Sequence, residues 1–297
     1  MSQHTSALPA LALLVNAFVW GVSWWPFRQL QAYGLHPLWA TAMVYAISMA
    51  VLLMLRPGAW RAFRAAPLLW LLLLAAGLTN VGFNWAVTIG DVVRVVLLFY
   101  LMPAWSLLLA WPLLGERPTM GSLLRLALAM TGVAIVLKTA DSPWPVPAGL
   151  ADWLAIVGGF SFALTNIFLR KLQAVDAPAR ILAMFAGGAV LAGAAAAWGG
   201  LSGLVAAPPP LQAGWLVAGL LLSVGFLAAN VSLQYGASRM SAHATALIML
   251  SEVVFASVSS VLLGAAEMTT RTWVGGALIL ATAVWSAWPQ PVKAPAA

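Results

Sequence analysis

The sequence predicts an all-α integral membrane protein with ten transmembrane helices arranged as two inverted five-helix repeats. Of its 297 residues, 63% are hydrophobic and only 7% are charged, whereas a soluble domain carries about 25% charged residues. Ten apolar runs are long enough to cross a bilayer, which takes about 18 or more residues, so little chain remains for a domain outside the membrane. The runs cover 8–27, 37–55, 67–89, 95–114, 120–137, 151–169, 180–206, 211–235, 244–266 and 271–288.

A similar stretch occurs near the middle of the chain and again near its end. Residues 97–119 close with Leu-Leu-Gly and then Glu-x-x-Thr, and residues 247–270 close in the same way with two residues inserted before the glutamate. We interpret this as a duplication, with a first repeat over 1–138, a connector over 139–150 and a second repeat over 151–297. Five spans is an odd number, so the second repeat enters the bilayer from the opposite side. Inverted repeats are a recurrent basis for alternating access, with the substrate site near the midplane.

Arginine and lysine predict the orientation, because they are enriched in cytoplasmic loops. With the amino terminus inside, ten of the fourteen basic residues fall on the cytoplasmic side and four on the other. Both termini are therefore predicted to be cytoplasmic. The ten are Arg56, Arg61, Arg64, Arg117, Arg125, Arg170, Lys171, Arg180, Arg239 and Lys293, and the four are Arg28, Arg94, Lys138 and Arg271.

Polar and aromatic residues recur at helical spacing in the first four spans, and such stripes indicate faces turned toward protein or a cavity. The fifth span has no stripe and is predicted to be peripheral. The stripes are Asn16, Trp20, Ser23 and Trp24; Tyr45 and Ser48; Thr79, Asn80, Phe83, Asn84 and Val87; and Phe99, Tyr100, Met102, Pro103 and Ser106. A proline such as Pro103 frees backbone carbonyl groups that only neighbouring helices or a water-lined cavity can satisfy, so the fourth span is predicted to face protein or a pathway.

The second half repeats this plan. The sixth span aligns with the first, and the eighth aligns with the third so that Asn80 meets Asn230. The seventh carries Gly188, Ala192 and Ala196 at fourfold spacing, a small-residue face suited to close helix packing. The tenth span, like the fifth, is apolar all round.

Two stretches carry a resemblance to a known family. FYLMPAWSLLLAWPLLGERPT at 99–119 and LSEVVFASVSSVLLGAAEMTTRTWVGGALIL at 250–280 resemble the ends of the two repeats of EamA-type transporters, in the drug/metabolite transporter superfamily. Pro103 and Glu252 stand where that family usually has proline and Glu-Pro. The chain departs from the pattern at Val253, which replaces the second proline, and in the two inserted residues.

The resemblance covers nearly the whole chain and implies a basket of helices. Spans one, three, four, six, eight and nine would surround a central cavity, with five and ten at the edge. Size, Tyr100-Leu101-Met102-Pro103 and a tryptophan-rich interior are most similar to the YddG-type exporters of the bacterial inner membrane. That similarity implies export of aromatic and other neutral amino acids. Export of cationic drugs or other metabolites on the same fold is the alternative.

Twelve residues are predicted to bind the substrate, by amide groups, ring faces or an adaptable thioether. They are Trp20, Ser23, Trp24, Thr79, Asn80, Phe83, Tyr100, Met102, Phe162, Asn166, Asn230 and Gln234. For each, the alternative is that it only joins helices, at about 0.6 kcal/mol per polar contact. Glu252 is the carboxylate placed well inside the membrane, and it is a candidate for proton or cation coupling or for a structural acid. Asp91 and Arg94 are expected in an exposed loop without a special role.

Other function classes find little support in the sequence. The net charge of +7 lies in short loops as a topology signal, so no nucleic-acid partner is expected. A membrane-embedded enzyme would need a nucleophile with a base, or metal ligands, at membrane depth, and no such motif occurs; no metal or cofactor is expected. A channel would need rings of like charge along a pore. The expected partners are the bilayer and a small-molecule substrate. The oligomeric state stays open, with a monomer compatible.

Overall fold

The structure is a computed structural model that describes residues 8–115, 119–138, 146–210, 212–237, 239–240, 245 and 248–287. Glu116, Arg117 and Lys293, used in the sequence predictions, lie outside these residues. The described chain forms helices and loops without a strand. The helices are α1 (Leu8–Val22), α2 (Trp24–Ala32), α3 (Pro37–Leu55), α4 (Ala62–Ala65), α5 (Leu68–Ile89), α6 (Val92–Phe99), α7 (Met102–Leu114), α8 (Met120–Leu137), α9 (Leu150–Lys171), α10 (Ala177–Leu201), α11 (Ala213–Ala237), α12 (Ser251–Leu262) and α13 (Thr270–Ala287).

Within the described residues, eight helical segments are long and apolar enough to cross a membrane. They coincide in order with the first eight predicted spans, the first being α1 with α2 and the fourth α6 with α7. The all-α membrane fold is thereby confirmed. The ninth predicted span contains the shorter apolar helix α12, and α13 is not among the eight, so the count of ten remains a prediction.

Proline explains both interruptions. α1 ends at Val22 and α6 ends at Phe99, and in each case a proline stands four residues further on. Pro26 and Pro103 cannot donate an N–H to those carbonyl groups, and their rings would clash with them. The Phe99 carbonyl lies against Gly159 of α9, where an added Cβ would come within 2.5 Å of the oxygen. The prediction that the Pro103 span faces protein is therefore confirmed.

The first spans of the two halves, α1–α2 and α9, run in opposite directions through the bundle. Arg28 of α2 donates to the carbonyls of Val87 and Gly90, and Asp152 in the first turn of α9 pairs with nearby Arg94. The end of the first span and the start of the sixth therefore share one end of the bundle, as an inverted arrangement requires. We call this the Arg94 end. The opposite end, where α7 and α9 finish beside Arg125, is the Arg125 end.

The four basic residues predicted on the non-cytoplasmic side do meet at one end. Arg94 donates to the carbonyl of Val136, and Arg271 donates to that of Lys138. Arg28 reaches Gly90 at the same end. The grouping of these bases by sequence is thus confirmed as a grouping in space.

Packing places α5 in the middle of the bundle, against α9 and α10, while α8 and α13 pack chiefly against each other. The latter pair makes a close contact, since a Cβ on Gly275 would lie 2.7 Å from the Gly132 carbonyl oxygen. This pairing fits the predicted edge position of spans five and ten. Gly188, Ala192 and Ala196 of α10 are buried, so the predicted small-residue packing face is also confirmed.

Gly187→Ala in α10 is expected to destabilise the bundle. An added Cβ would lie 2.1 Å from the carbonyl oxygen of Leu73, and since that atom is backbone, α5 and α10 would have to move apart. Overpacking of this kind costs about 1–3 kcal/mol. Gly193→Ala is the matched control on the same helix, because its Cβ would meet nothing closer than Ala42 at 3.7 Å. Thermal unfolding in detergent should show a lower midpoint for the first variant than for the second. Equal midpoints would contradict the contact.

Candidate functional site

A cavity of about 300 Å³ lies in the centre of the helix bundle. Helices from both halves of the chain build it: α1, α5, α6 and α7 from the first, α9, α10, α11 and α12 from the second. Its wall combines aromatic rings, four asparagine amides and one carboxylate. The lining residues are Asn16, Trp20, Ala76, Thr79, Asn80, Phe83, Phe99, Tyr100, Met102, Phe162, Thr165, Asn166, Met184, Asn230, Leu233, Thr245, Met249 and Glu252.

Nine of the twelve predicted binding residues lie in this wall, together with Glu252. They are Trp20, Thr79, Asn80, Phe83, Tyr100, Met102, Phe162, Asn166 and Asn230. Gln234 belongs to α11, but its side chain lies outside the described part of the structure. The structure therefore brings residues from separate polar stripes to a single cavity.

Ser23 and Trp24 lie elsewhere. The Ser23 hydroxyl donates to the carbonyl of Trp20 at 2.8 Å. Trp24 is 3% exposed, and its indole N–H donates to the hydroxyl of Ser259 on α12 at 3.0 Å. The sequence prediction treated the first span as one straight helix, whereas the interruption before Pro26 turns these two residues away from the Asn16 face.

Several wall residues were not among the predicted set. Asn16 and Phe99 belong to the polar stripes, and Thr165 is adjacent to Asn166, so the sequence held a signal for these three. The others are apolar apart from Thr245, and residues such as Met184 and Leu233 belong to apolar helices. Nothing in their spacing separates a cavity wall from a lipid-facing surface.

Three wall asparagines donate from their NH₂ groups to backbone carbonyls, Asn16 to another helix and the other two within their own helix. Asn16 donates to the carbonyl of Ala229 at 2.8 Å, Asn166 to that of Phe162 at 3.0 Å and Asn230 to that of Phe226 at 3.0 Å. The amide oxygen and the second N–H of each NH₂ group are then left for a ligand. Among the described residues, the buried Oδ1 of Asn16 has no hydrogen-bond partner. A buried acceptor without a donor is costly, so Asn16 Oδ1 is a candidate to accept from a donor on a ligand.

In Asn80 the amide oxygen, and not the NH₂ group, makes the hydrogen bond within the protein. The buried Tyr45 hydroxyl donates to Asn80 Oδ1 at 2.8 Å, and the Tyr45 ring packs against Phe185 and Phe226. The amide oxygen is thus occupied, and the NH₂ group is the one that a ligand would meet. The cavity wall therefore offers both hydrogen-bond acceptors and a donor.

The interruption between α6 and α7 faces the start of α12 across the cavity. Tyr100 lies between α6 and α7, and its hydroxyl oxygen lies 3.3 Å from Oε2 of Glu252 and 3.4 Å from the Met249 carbonyl oxygen, so its one proton can be donated to either acceptor. The offset of 149 residues that relates the two Leu-Leu-Gly motifs also relates Pro103 to Glu252. Equivalent segments of the two predicted repeats thus face each other and place one acid beside the aromatic wall.

Arg94 does not lie in an exposed loop, and that expectation was wrong. Its guanidinium binds both carboxylate oxygens of Asp152, at 2.8 and 2.7 Å, and donates to the Val136 carbonyl at 2.6 Å. The side chain of Asp152 is only 6% exposed. The fourth span is predicted to begin at 95. In the structure, Asp91 accepts from the backbone N–H of Arg94 and caps a helix that begins at Val92. Arg94 thereby lies inside the bundle.

This ion pair closes the Arg94 end over the cavity, since it links α6 to the first turn of α9. Asp91 adds a contact between the halves by accepting from the backbone N–H of Glu267 at 3.3 Å. Residues of α6 between this pair and the cavity are all buried apart from Arg94 itself. The structure is therefore packed shut on this side.

Comparison with known proteins agrees with this architecture. Fifteen solved chains resemble the fold. One of them, a protein of known crystal structure, aligns with a TM-score of 0.55 and 17% sequence identity over 93% of this chain and 94% of that chain. At this identity the likeness shows the fold alone. Compared with curated protein sequences, the chain has no significant match.

The EamA-like transporter family matches residues 7–138 and again residues 149–288. The matched segments include every helix that lines the cavity. The resemblance of 99–119 and 250–280 to EamA repeat ends is thereby confirmed at the level of the family. This chain belongs to the EamA-like transporter family, within the drug/metabolite transporter superfamily.

Proposed function

We propose that this protein exports small metabolites, with aromatic and other neutral amino acids first, across the inner membrane of a bacterium. The carrying observation is the cavity wall, in which the acceptors Asn16 Oδ1 and Glu252 lie among the rings of Trp20, Phe83 and Phe162. An ammonium group would bind the acceptors and the ring faces. An aromatic or aliphatic side chain would pack against the rings. The similarity to YddG-type exporters supports the same substrate class.

The volume supports a small ligand. Ligand pockets generally measure about 300–1,000 Å³, and this cavity of about 300 Å³ is at the lower limit. It suits a single amino acid rather than a peptide or a large drug. Three predicted binding residues, Ser23, Trp24 and Gln234, are not in the described wall of the cavity. In this proposal they bind the substrate in another state of the transport cycle.

Transport would proceed by alternating access between the two predicted repeats, 1–138 and 151–297. The structure is shut at the Arg94 end, while a crevice reaches the cavity wall from the Arg125 end. With the Arg125 end in the cytoplasm, as the distribution of bases favours, this is an inward-facing state. Both termini would then be cytoplasmic.

Uptake into liposomes tests the function. Purified protein is reconstituted, and the entry of labelled phenylalanine, tryptophan, threonine and alanine is followed with and without a pH gradient. Saturable uptake that other amino acids compete for is the expected result. No uptake of any amino acid by protein shown to be folded would contradict the proposed substrate class.

A cationic drug is the second candidate, because Glu252 and the ring faces suit a cation that lacks a carboxylate. A competition experiment on phenylalanine uptake distinguishes the amino-acid function from the cationic-drug function. Under the amino-acid proposal, excess tetraphenylphosphonium leaves phenylalanine uptake nearly unchanged. If phosphonium is itself transported and phenylalanine is not, the drug function replaces the proposed one.

Glu252→Gln is expected to remove the effect of a pH gradient while preserving amino-acid exchange. The amide keeps the shape of the side chain and accepts from the Tyr100 hydroxyl, but it cannot carry a proton. Counterflow at equal pH should therefore stay within about threefold of wild type, and stimulation by a gradient should vanish. Unchanged stimulation in the variant would assign the coupling to another group. Loss of counterflow as well would mean that the negative charge of Glu252 is required for binding the substrate ammonium group or for the shape of the site, and would contradict a role in coupling alone.

A further inference from the structure

A groove of about 550 Å³ opens on the outer surface of the bundle, between α3, α5 and α10. Val190 of α10 and Trp70 of α5 line it, and each is 55% exposed, so the groove faces the surrounding bilayer. Its rim is the connection from α3 to α5, which contains a 3-10 turn (Ala59–Arg61) followed by α4. This connection lies at the Arg125 end, because α5 runs from it to Gly90 at the Arg94 end.

The groove runs from the rim toward the middle of the membrane. Leu182, Ala186 and Val190 line it at fourfold spacing on α10, and residues four apart lie on one helical face. From the first to the last of them is roughly 12 Å along the helix, at 1.5 Å per residue. Leu53 and Met49 of α3 line it at the same spacing. The groove is thus long and apolar below its rim, as the binding site of an acyl chain is.

Aromatic rings lie at the rim. Phe63 of α4 packs edge to face against Trp70, with 5.0 Å between the ring centroids. Trp60 is beside them and is 47% exposed. Tryptophan is enriched where the hydrocarbon of a bilayer meets its headgroups. The rim therefore marks the headgroup level, and the groove below it lies at the depth of the acyl chains.

Two guanidinium groups belong to the same rim. Arg61 and Arg64 are exposed and three residues apart, so they share one face of the short helical stretch. Arg64 lines the groove, and its guanidinium lies over the Trp60 ring, 5.4 Å from the centroid. The planar guanidinium matches the oxygens of a phosphate group. The cytoplasmic leaflet, to which this end is predicted to belong, is the one that carries anionic lipids.

We propose that this groove binds one anionic phospholipid, with its phosphate group against Arg61 and Arg64 and one acyl chain in the groove along α10. The site is separate from the central cavity and does not depend on which substrate is transported. Because α3 and α5 belong to the first predicted repeat and α10 to the second, the lipid contacts both halves of the chain.

Native mass spectrometry of the delipidated protein in detergent counts bound lipids and gives the affinity for the first. Palmitoyl-oleoyl phosphatidylglycerol should bind about tenfold more tightly than phosphatidylcholine with the same chains. Arg61→Gln and Arg64→Gln should each weaken phosphatidylglycerol binding about fivefold, which is about 1 kcal/mol per basic residue, and leave phosphatidylcholine binding unchanged. Lys171→Gln is the control, because Lys171 is exposed at the same end of the bundle, on α9, and does not line the groove. Its affinities should stay within about twofold of wild type.

Val190→Trp tests the acyl chain, because the larger side chain would occupy the groove. Binding of both lipids should fall about tenfold, which corresponds to lost contact for about two methylene groups. Val224→Trp is the matched control, since Val224 is also 55% exposed but is on α11 and does not line the groove. The thermal midpoint without lipid shows whether each variant is folded, and Leu53→Trp replaces Val190→Trp if the latter is not.

Equal affinities for the two lipids in the wild-type protein would overturn the proposal, as would an unchanged preference in both arginine variants. If Val190→Trp and Val224→Trp bind lipid alike, no acyl chain occupies the groove. Glycerophosphoglycerol, which has the headgroup without the chains, should compete poorly; full competition at the concentration of the lipid would reduce the site to a phosphate site and reject the lipid. These readouts need no transport, so failure of amino-acid uptake and failure of the lipid site are seen separately.

Discussion

Phe162→Ala should lower amino-acid transport by at least tenfold without preventing membrane insertion. Phe162 lines the cavity and lies 5.4 Å, centroid to centroid, from Phe99, which in turn lies 4.7 Å from Phe83. Truncation would remove one ring face from the site and loosen the other two rings. Aromatic pairs contribute about 0.5–1.5 kcal/mol beyond their buried area, and the lost ligand contact adds to this. Initial uptake rates over a range of phenylalanine concentrations measure the effect.

Phe160→Ala is the matched control, since it makes the same chemical change two residues away on α9. Phe160 contacts Trp105 at 5.6 Å and does not line the cavity. Its transport should stay within about twofold of wild type. Phe83→Ala and Tyr100→Ala should behave like Phe162→Ala. If the cavity variants transport as well as the control, the central cavity is not the substrate site.

Asp152→Asn should have the largest effect on the equilibrium between conformations in which the Arg94 end is closed and those in which it is open. The substitution leaves the Arg94 guanidinium inside the Arg94 end without its countercharge. Breaking a buried ion pair by removing one partner costs about 3–5 kcal/mol, and we take about 3 kcal/mol because the Arg94 side chain is 21% exposed. Each 1.4 kcal/mol is a factor of ten. The closed Arg94 end should therefore lose about a hundredfold in population relative to states in which it is open.

The measurement is labelling of a Met102→Cys thiol by a membrane-impermeant reagent applied from the Arg94 side. Asp152→Asn should increase the rate, and it should also lower the thermal midpoint. Asp176→Asn is the control, because Asp176 is exposed and its side chain makes no capping hydrogen bond at the start of α10. If the two variants label alike, the Arg94–Asp152 pair does not hold this end closed.

The sequence predicted the membrane fold and most of the cavity wall for a physical reason. In an apolar helix, polar and aromatic residues are rare, so stripes such as Thr79, Asn80 and Phe83 mark the face that avoids lipid. The resemblance to EamA-type transporters then implied which spans surround the centre. Pro103 marked the interruption that places Tyr100 opposite Glu252.

The remaining features depend on distances that a sequence does not contain. Trp24 does not lie on the predicted face, because the first span is interrupted one turn before Pro26 and does not continue as a straight helix. Arg94 and Asp152 are 58 residues apart in sequence, and nothing local shows that they meet. Apolar wall residues such as Leu233 look like any lipid-facing leucine. Packing decides all three, so they were missed or misplaced.

The most direct test of the account is whether the cavity opens to both sides of the membrane in turn. The Met102→Cys thiol is labelled from either side in oriented vesicles, with and without phenylalanine; Met120→Cys and Gln31→Cys, both exposed positions at opposite ends, report the sidedness of the reagent. Without substrate, we expect the cavity thiol to be labelled from the Arg125 side. When phenylalanine is present, we expect its reaction from the Arg94 side to become faster. Labelling from one side only, whatever the substrate, would contradict alternating access around this cavity.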